Sequence, residues 1–598
     1  MRLGRRAVRV FVCTVVIFAA SFAAAAETYA VHTDFAVQAK MRDGTILRAD
    51  IYRPAVEGKF PVLLQRTPYD KRNEAGFGVK AAARGYVVVV QDVRGRYSSD
   101  GDWYPFKNES NDGYDTVEWA AALPYSNGKV GMFGGSYVGA TQMLAAIARP
   151  PHLTAICPVV TASNYHDGWT YQGGAFEQWF NESWTSGLAQ DSLSRMIERN
   201  TNALNDIWKT PLTDYKLFDV PNASSESKMI QTLAPYFADW LAHPDYDAYW
   251  KQWSLEEHYS DVQVPILTVA AWYDIFLGGS LRNYMGVKSH GGSDAARKGQ
   301  RLMVVIGGHA GGGRKVGDVD FGAAAPFQGD ESEDDIILSW YDFQLKGLAN
   351  DYSNSKPVRL FVMGTNQWRY EDDWPLPRAK QTKYYLHSAG KANSAGGDGV
   401  LSTASGKAEA SDHYQYDPAN PAPTIGGPLC CDAKHLKPGP RDQRPVEARE
   451  DVLVYSTPSL ENDLEVTGPV KLELFASSSA VDTDFLAKLV DVWPDGFAQN
   501  LTEGIVRARY RDSQEHGTLM NPNQVYKFSI DMWATSNVFK KGHRLRLEIS
   551  SSNFPRFDRN MNNGGDIVSA RKGVAATNTV YHDPEHPSFL LLPIVAGQ

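Results

Sequence analysis

Cysteine is scarce in this chain, four in 598 residues, and one of the four, Cys13, falls in the N-terminal apolar stretch. The remaining Cys157, Cys430 and Cys431 are too few for a disulfide-stapled scaffold. Without a second cysteine pair they also make no four-cysteine zinc site. The adjacent Cys430-Cys431 is left with two states, a vicinal disulfide or two thiols. An excess of basic charge is missing too. Lys and Arg number 60 against 69 Asp and Glu, a net charge of −9, and no basic stripe stands out, which argues against a nucleic-acid partner. Nor is there an apolar run fit to span a bilayer: Val10 to Phe22 falls short of the ~20 residues required. It reads instead as the middle of a secretory leader. Arg2, Arg5, Arg6 and Arg9 precede it, and Ala23 to Ala26 supply a small-residue cleavage site before Glu27. The expected mature chain starts there and is periplasmic or secreted, with no membrane partner after cleavage.

So long a chain exceeds a single core and should divide into several domains. An alternating apolar/polar hairpin is expected over residues 33–53, around Arg42-Asp43-Gly44. Buried-type strands follow at Pro61 to Leu64, Tyr86 to Val90, Val130 to Phe133 and Ala155 to Val160, with helical stretches such as Tyr114 to Leu123 between them. Strands alternating with helices imply a parallel sheet covered on both faces. From about 162 to 262 the strand pattern stops and seven tryptophans gather, among them Trp169, Trp184 and Trp240. That segment reads as a helical insertion whose aromatics either form its own core or line an apolar pocket. Strands resume at Val264 to Ala271 and Leu302 to Ile306, and a helix at Ile336 to Leu345. Beyond Lys356, starting with Val358 to Val362, short strands separated by turn residues indicate an all-β sandwich of jelly-roll type.

The chemistry points to Gly134-Gly135-Ser136-Tyr137-Val138-Gly139. A serine between a strand and a helix has the placement of a nucleophile elbow, with glycines where the sharp turn leaves no room for a side chain. The second glycine comes one residue later than in the common G-x-S-x-G. A serine nucleophile needs a base, and the base an orienting acid. Asp274 follows one strand in Ala271-Trp272-Tyr273-Asp274, and His309 follows another in Gly307-Gly308-His309. The chain order Ser, Asp, His and the placement at strand ends fit α/β-hydrolases. The expected triad is therefore Ser136, His309 and Asp274. The backbone N–H of Tyr137 is the expected first oxyanion donor. Tyr69, in Arg66-Thr67-Pro68-Tyr69, is either a second donor or a ring packed on its loop.

These residues resemble the cocaine esterase / X-prolyl dipeptidyl-peptidase group of serine hydrolases, which includes α-amino acid ester hydrolases and glutaryl-7-aminocephalosporanic acid acylases. The similar segments include Arg66 to Tyr69, Gln91 to Tyr97, Gly113 to Trp119, Gly134 to Gly139, Trp272 to Asp274, Gly308-His309 and Ser550 to Phe557. The resemblance implies an α/β-hydrolase core (27–161 and 263–355), an inserted helical cap (162–262) and a C-terminal jelly roll (356–598) after a leader (1–26). It also implies that Tyr69 is an oxyanion donor, and its Ser-Tyr-x-Gly elbow accounts for the displaced glycine. In the α-amino acid ester hydrolases of this group, acidic residues shortly after the catalytic Asp hold the substrate ammonium. Here Phe276 and Leu277 stand there.

The expected substrate is a small ester or amide with an uncharged or weakly polar acyl group. Trp169, Phe276 and Leu277 are the expected pocket residues. No metal or other cofactor is called for, and homo-oligomerisation is left open. A glutaryl-type acid would need a cation in the pocket, from Arg66, Lys71, Arg72 or Arg94. A dipeptidyl-peptidase would need a carboxylate for the peptide amine, from Asp167, Glu177 or Glu182. A third reading is an inert core beside a carbohydrate-binding jelly roll.

Overall fold

The structure is a computed structural model, and it describes residues 28–201, 233–327, 331–406, 408–566, 570 and 572–596. The expected leader and residues 202–232 of the expected cap lie outside them.

Alternate side chains of the valine- and leucine-rich runs go to opposite faces of one sheet, as strand geometry requires. In β3 (Phe60–Thr67), Val62 and Leu64 enter one core cluster and Leu63 another. The sheet has ten strands. In chain order the others are β1 (Val31–Lys40), β2 (Ile46–Pro54), β4 (Val87–Asp92), β5 (Ser126–Gly135), β6 (Leu153–Val159), β7 (Leu267–Tyr273), β8 (Arg301–Gly308), β9 (Val358–Val362) and β10 (Gln367–Glu371). Their spatial order is β1-β2-β4-β3-β5-β6-β7-β8-β9-β10. From β4 to β9 every pairing is parallel, and β1, β2 and β10 add antiparallel edges. Helices cover both faces. Residues of α2 (Glu109–Ala121) and α3 (Tyr137–Ile147) pack with Val62, Val89 and Met132, while those of α1 (Ala75–Ala83) and of Glu333–Gln344 pack with Leu63, Val88 and Phe133. The parallel block puts the ends of β5, β7 and β8 on one edge, where an open α/β sheet places its site.

Strand β9 departs from expectation. Val358–Val362 reads in sequence as the first strand of the β-sandwich, yet it pairs in parallel with β8. The helix Glu333–Gln344 between the two makes a β-α-β crossover, and the hairpin partner β10 then closes the sheet. A five-residue strand, Val-Arg-Leu-Phe-Val, with four apolar side chains and one arginine, has no feature that distinguishes these two environments.

The described part of the tryptophan-rich insertion is mostly helical, with helices Gln178–Thr201 and Pro235–Ala242 and one two-residue hairpin, Tyr171–Gln172 with Ala175–Phe176. Trp169, Trp240 and Trp250 are wholly buried and share a cluster with α2 and α3. Beyond β10 the chain forms an eleven-stranded sheet system. Leu472 and Leu474, Leu545 and Leu547, and Leu590 and Leu592 each point inward at every second position. That interior is continuous with the half built on the parallel sheet, because Trp272, Tyr273 and Leu277 belong to the same cluster.

Polar contacts fasten the seam between the halves. The Tyr273 hydroxyl donates to the Asn500 carbonyl at 2.9 Å and accepts from Gln499 Nε2 at 3.1 Å. Arg556, from the late Ser550–Phe557 segment, is buried between Glu503 of the β-domain and Gln172 and Glu177 of the insertion, at 2.9 Å from Gln172 Oε1.

Candidate active site

Ser136 sits at the turn from β5 into α3 with φ 62° and ψ −127°, a backbone conformation rare for a residue with a side chain. Its neighbours show why the turn needs glycines. A Cβ on Gly134 would lie 2.4 Å from Val138, and one on Gly139 would lie 2.8 Å from Thr161. The glycine one residue late in the motif is thus the one that lets α3 approach Thr161. Thr161 Oγ1 also donates to the Ser136 carbonyl at 2.9 Å, and the Ser136 N–H donates to the Val159 carbonyl at 2.9 Å.

The structure brings the three expected triad residues together. His309 Nε2 lies 2.8 Å from Ser136 Oγ, and His309 Nδ1 lies 2.6 Å from Asp274 Oδ2. Asp274 is fully buried, and its other oxygen accepts the Phe276 N–H at 2.8 Å. With Asp274 ionised, this arrangement puts the ring proton on Nδ1 and leaves Nε2 free to accept from the serine.

Tyr69 reaches the site from the loop after β3. Trp184 Nε1–H donates to the Tyr69 oxygen at 2.9 Å, and the same hydroxyl interacts with Ser136. Because the tryptophan occupies an acceptor position, the Tyr69 proton is left to be donated. Burial pushes its pKa up to about 12, against weaker opposing effects of Trp184 and Ser136, so it stays a donor across the neutral range. Tyr137 serves twice. As first residue of α3 it carries one of the backbone N–H groups that a helix leaves without an internal acceptor. Its side chain is buried, donating to Glu109 Oε1 at 3.0 Å and accepting the Phe106 N–H at 2.8 Å.

The triad opens on a cavity of about 610 Å³. Its walls include Val159 and Val160 at the end of β6, Val269 within β7 and Val305 within β8, and Trp184 from the insertion. Leu429 to Ala433, Leu436 and Pro438 of a β-domain loop complete it. Three expected pocket residues are not on its surface. Phe276 is fully buried behind His309, ring edge to face at 5.1 Å, and Trp169 stacks on Phe276 at 4.4 Å. Leu277 is buried in the seam cluster. Their place two and three residues after Asp274 sends Phe276 under His309 and Leu277 into the seam. Trp208 lies outside the described residues; among the described tryptophans of the insertion, Trp169, Trp184, Trp240, Trp250 and Trp253 are buried in a core, and Trp184 also lines the cavity.

None of the expected charges faces the cavity. Arg66 is buried against Glu109 at 2.7 Å, Lys71 pairs with Asp50 at 3.0 Å, Arg72 with Asp70 at 2.5 Å, and Arg94 with Asp112 at 2.6 Å. Asp167 pairs with Arg282 at 3.0 Å, Glu177 with Arg556 at 3.3 Å, and Glu182 accepts from Gln178 at 3.0 Å. The lining holds two other carboxylates, Glu333 and Asp432, and no Lys or Arg among the described residues. Desolvation raises the pKa of Glu333, with further contributions from Asp334 and Glu74. Cys430 and Cys431 form a disulfide on the cavity wall, while Cys157 is a buried free thiol. The sequence leaves the pairing of this dipeptide open. Its meeting with the triad has no local signal, since the loop belongs to another domain.

Comparison with known proteins shows the family. Residues 43–311 match the model of the X-Pro dipeptidyl-peptidase (S15 family), and residues 350–591 match that of the X-Pro dipeptidyl-peptidase C-terminal non-catalytic domain. The chain is 40% identical over 575 residues to a cocaine esterase of Rhodococcus sp. (strain MB1 Bresler), covering 94% of this chain and 98% of that one. Among solved structures, an aminopeptidase from a marine sediment Thaumarchaeota archaeon superimposes with a TM-score of 0.80 at 25% identity, over 98% of this chain and 99% of the other. An α-amino acid ester hydrolase superimposes with a TM-score of 0.77 at 24% identity, over 97% and 99%, which bears on fold alone.

Proposed function

The chain belongs to the cocaine esterase / X-Pro dipeptidyl-peptidase (S15) family and is a serine hydrolase, and from that premise we propose that it cleaves small, uncharged acyl esters or amides through Ser136, His309 and Asp274. The observation that carries this reading is the unbroken hydrogen-bond chain from Ser136 Oγ through His309 to buried Asp274, at the edge of a cavity lined by valines and Trp184.

In the proposed cycle Ser136 Oγ attacks the substrate carbonyl while His309 Nε2 takes its proton. Asp274 holds the ring by Nδ1 and stabilises the imidazolium. The Tyr69 hydroxyl and the Tyr137 N–H receive the oxyanion. His309 then protonates the departing alcohol or amine. Water enters, gives its proton to His309 and attacks the acyl-enzyme, and collapse of the second tetrahedral intermediate frees the acid. We read the catalytic half as an α/β-hydrolase core, the insertion as its cap and the strand-rich half as a jelly roll. The parallel sheet and the alternating inward leucines support this. We also read residues 1–26 as an export leader, which places the mature enzyme in the periplasm or outside the cell.

Among the described residues no Lys or Arg lines the cavity, which disfavours a dicarboxylic acyl group, since it would be held without a countercharge. Dipeptidyl-peptidase-type cleavage is the second reading. Glu333, open to the cavity, is the carboxylate that favours it. The test is a pre-steady-state trace of p-nitrophenol release from a short neutral acyl ester by residues 27–598. A burst near one equivalent, absent in Ser136→Ala, is expected. A linear trace identical in the two proteins would overturn the assignment and favour an inert core beside a binding domain.

A further inference from the structure

We propose that reduction of the Cys430–Cys431 disulfide turns this wall of the cavity into a three-donor site for a thiophilic divalent cation, with His309 as third donor, and that filling it silences the triad. A ring nitrogen of His309 and the sulfurs of Cys430 and Cys431 already lie within 4.8 Å of one another. Donors around a tetrahedral zinc-type ion stand about 3.5 Å apart, given Zn–S and Zn–N bonds of about 2.3 and 2.0 Å. Small side-chain rotations close that difference. Nδ1 is held by Asp274, so the nitrogen available to a cation is Nε2. A carboxylate on the far nitrogen is also how metal-binding histidines are oriented. The feature that prepares His309 as a base thus prepares it as a ligand. Adjacent thiolates select soft cations over magnesium or calcium.

The chemistry balances with a dithiol or phosphine as reductant. Two electrons and two protons open the S–S bond to two thiols; a dithiol supplies both and becomes its own disulfide, while a phosphine supplies the electrons and becomes its oxide by taking the oxygen of a water whose two protons go to the sulfurs. Binding of the cation then displaces the two thiol protons. While the disulfide is closed, neither sulfur is a thiolate and the site does not exist, so cation sensitivity reports the redox state of the loop. Silencing rests on the reading of His309 as base, whereas the cation site itself does not.

The experiment uses residues 27–598, oxidised or reduced with a phosphine and desalted without air. Cadmium is titrated by its thiolate charge-transfer absorption, and hydrolysis of a neutral ester is followed with added zinc. One cadmium per reduced chain and none per oxidised chain is the expected result. Saturating zinc is expected to lower the rate of the reduced enzyme at least ~100-fold, as for loss of a general base, with recovery on chelation. The Cys430→Ser/Cys431→Ser variant should show no cadmium band, and whatever rate it retains should not respond to zinc. His309→Ala should keep the band with affinity weakened by about tenfold or more. Absence of the band after reduction would overturn the site. So would equal zinc inhibition of oxidised and reduced enzyme, or a cadmium affinity unchanged by His309→Ala. If no ester is hydrolysed at all, the cadmium titration still decides the site, which keeps its failure distinct from that of the esterase reading.

Discussion

The floor and the wall of the cavity are built on different principles. The floor is rigid and local: Ser136, Asp274 and His309 each sit within a residue or two of a strand end, and each is oriented by a backbone group or a buried partner. The wall is assembled at long range from valines of β6, β7 and β8, from Trp184 of the insertion and from the 429–438 loop of the β-domain. Reaction type therefore depends on the sheet, while substrate choice depends on how three separate segments meet.

The largest effects should come from the floor. Ser136→Ala is expected to lower kcat by ~10⁴–10⁶, measured as ester hydrolysis with an unchanged circular-dichroism spectrum. Residual turnover near wild type would break the comparison, since the floor would then not be where the chemistry lies. Tyr69→Phe comes next, at roughly 10²–10³ in kcat as for one oxyanion donor, with KM little affected. Trp184→Phe removes the hydrogen bond to Tyr69 together with part of the cavity wall and of the packing on Tyr137 and Trp240; the lost hydrogen bond should lower kcat about tenfold, near the 1.4 kcal/mol that one such contact supplies, and the lost ring should appear in KM.

The same hydroxyl predicts a pH dependence. Its pKa is raised by burial from 10.0 to about 12. The folded protein therefore holds this proton more tightly than the unfolded chain does. The associated stability is complete below about pH 10 and is lost as pH rises toward 12. Thermal unfolding of Tyr69→Phe should thus fall off less steeply over that interval than wild type. Parallel curves would mean that the Tyr69 proton is not specially held.

On the wall, Glu333→Gln should reduce kcat/KM about tenfold for an α-amino acyl ester and leave a neutral ester unaffected. An equal loss on both would make Glu333 a support of its helix rather than a selector, and would remove the observation that favours peptidase activity.

This division also explains what can be read from residues alone. The meeting of Ser136, His309 and Asp274 is legible because strand-end placement, chain order and glycine spacing are local. Tyr69 needs the family resemblance, because a tyrosine on a loop carries no sign of where its hydroxyl points. The pocket residues are misplaced by sequence reasoning for a physical reason: Phe276 is close to Asp274 in sequence, and that closeness sends its ring under His309 instead of into the cavity. Strand β9 goes to the wrong sheet in the same reasoning, since so short a strand, four apolar residues and Arg359, fits either. Cys430 and Cys431 are visible as a pair, but their encounter with His309 depends on how two domains dock.

Tyr273 gives that docking a kinetic meaning. It precedes the triad acid, and its hydroxyl is held on both sides by Asn500 and Gln499 from the opposite half. The β-domain accordingly acts as a vice on the tether of Asp274. Loosening it by Tyr273→Phe should lower kcat a few-fold while substrate affinity stays put. A domain free of reacting atoms would then be part of the rate-setting machinery, and the catalytic half could not be excised as a smaller enzyme without slackening its own acid.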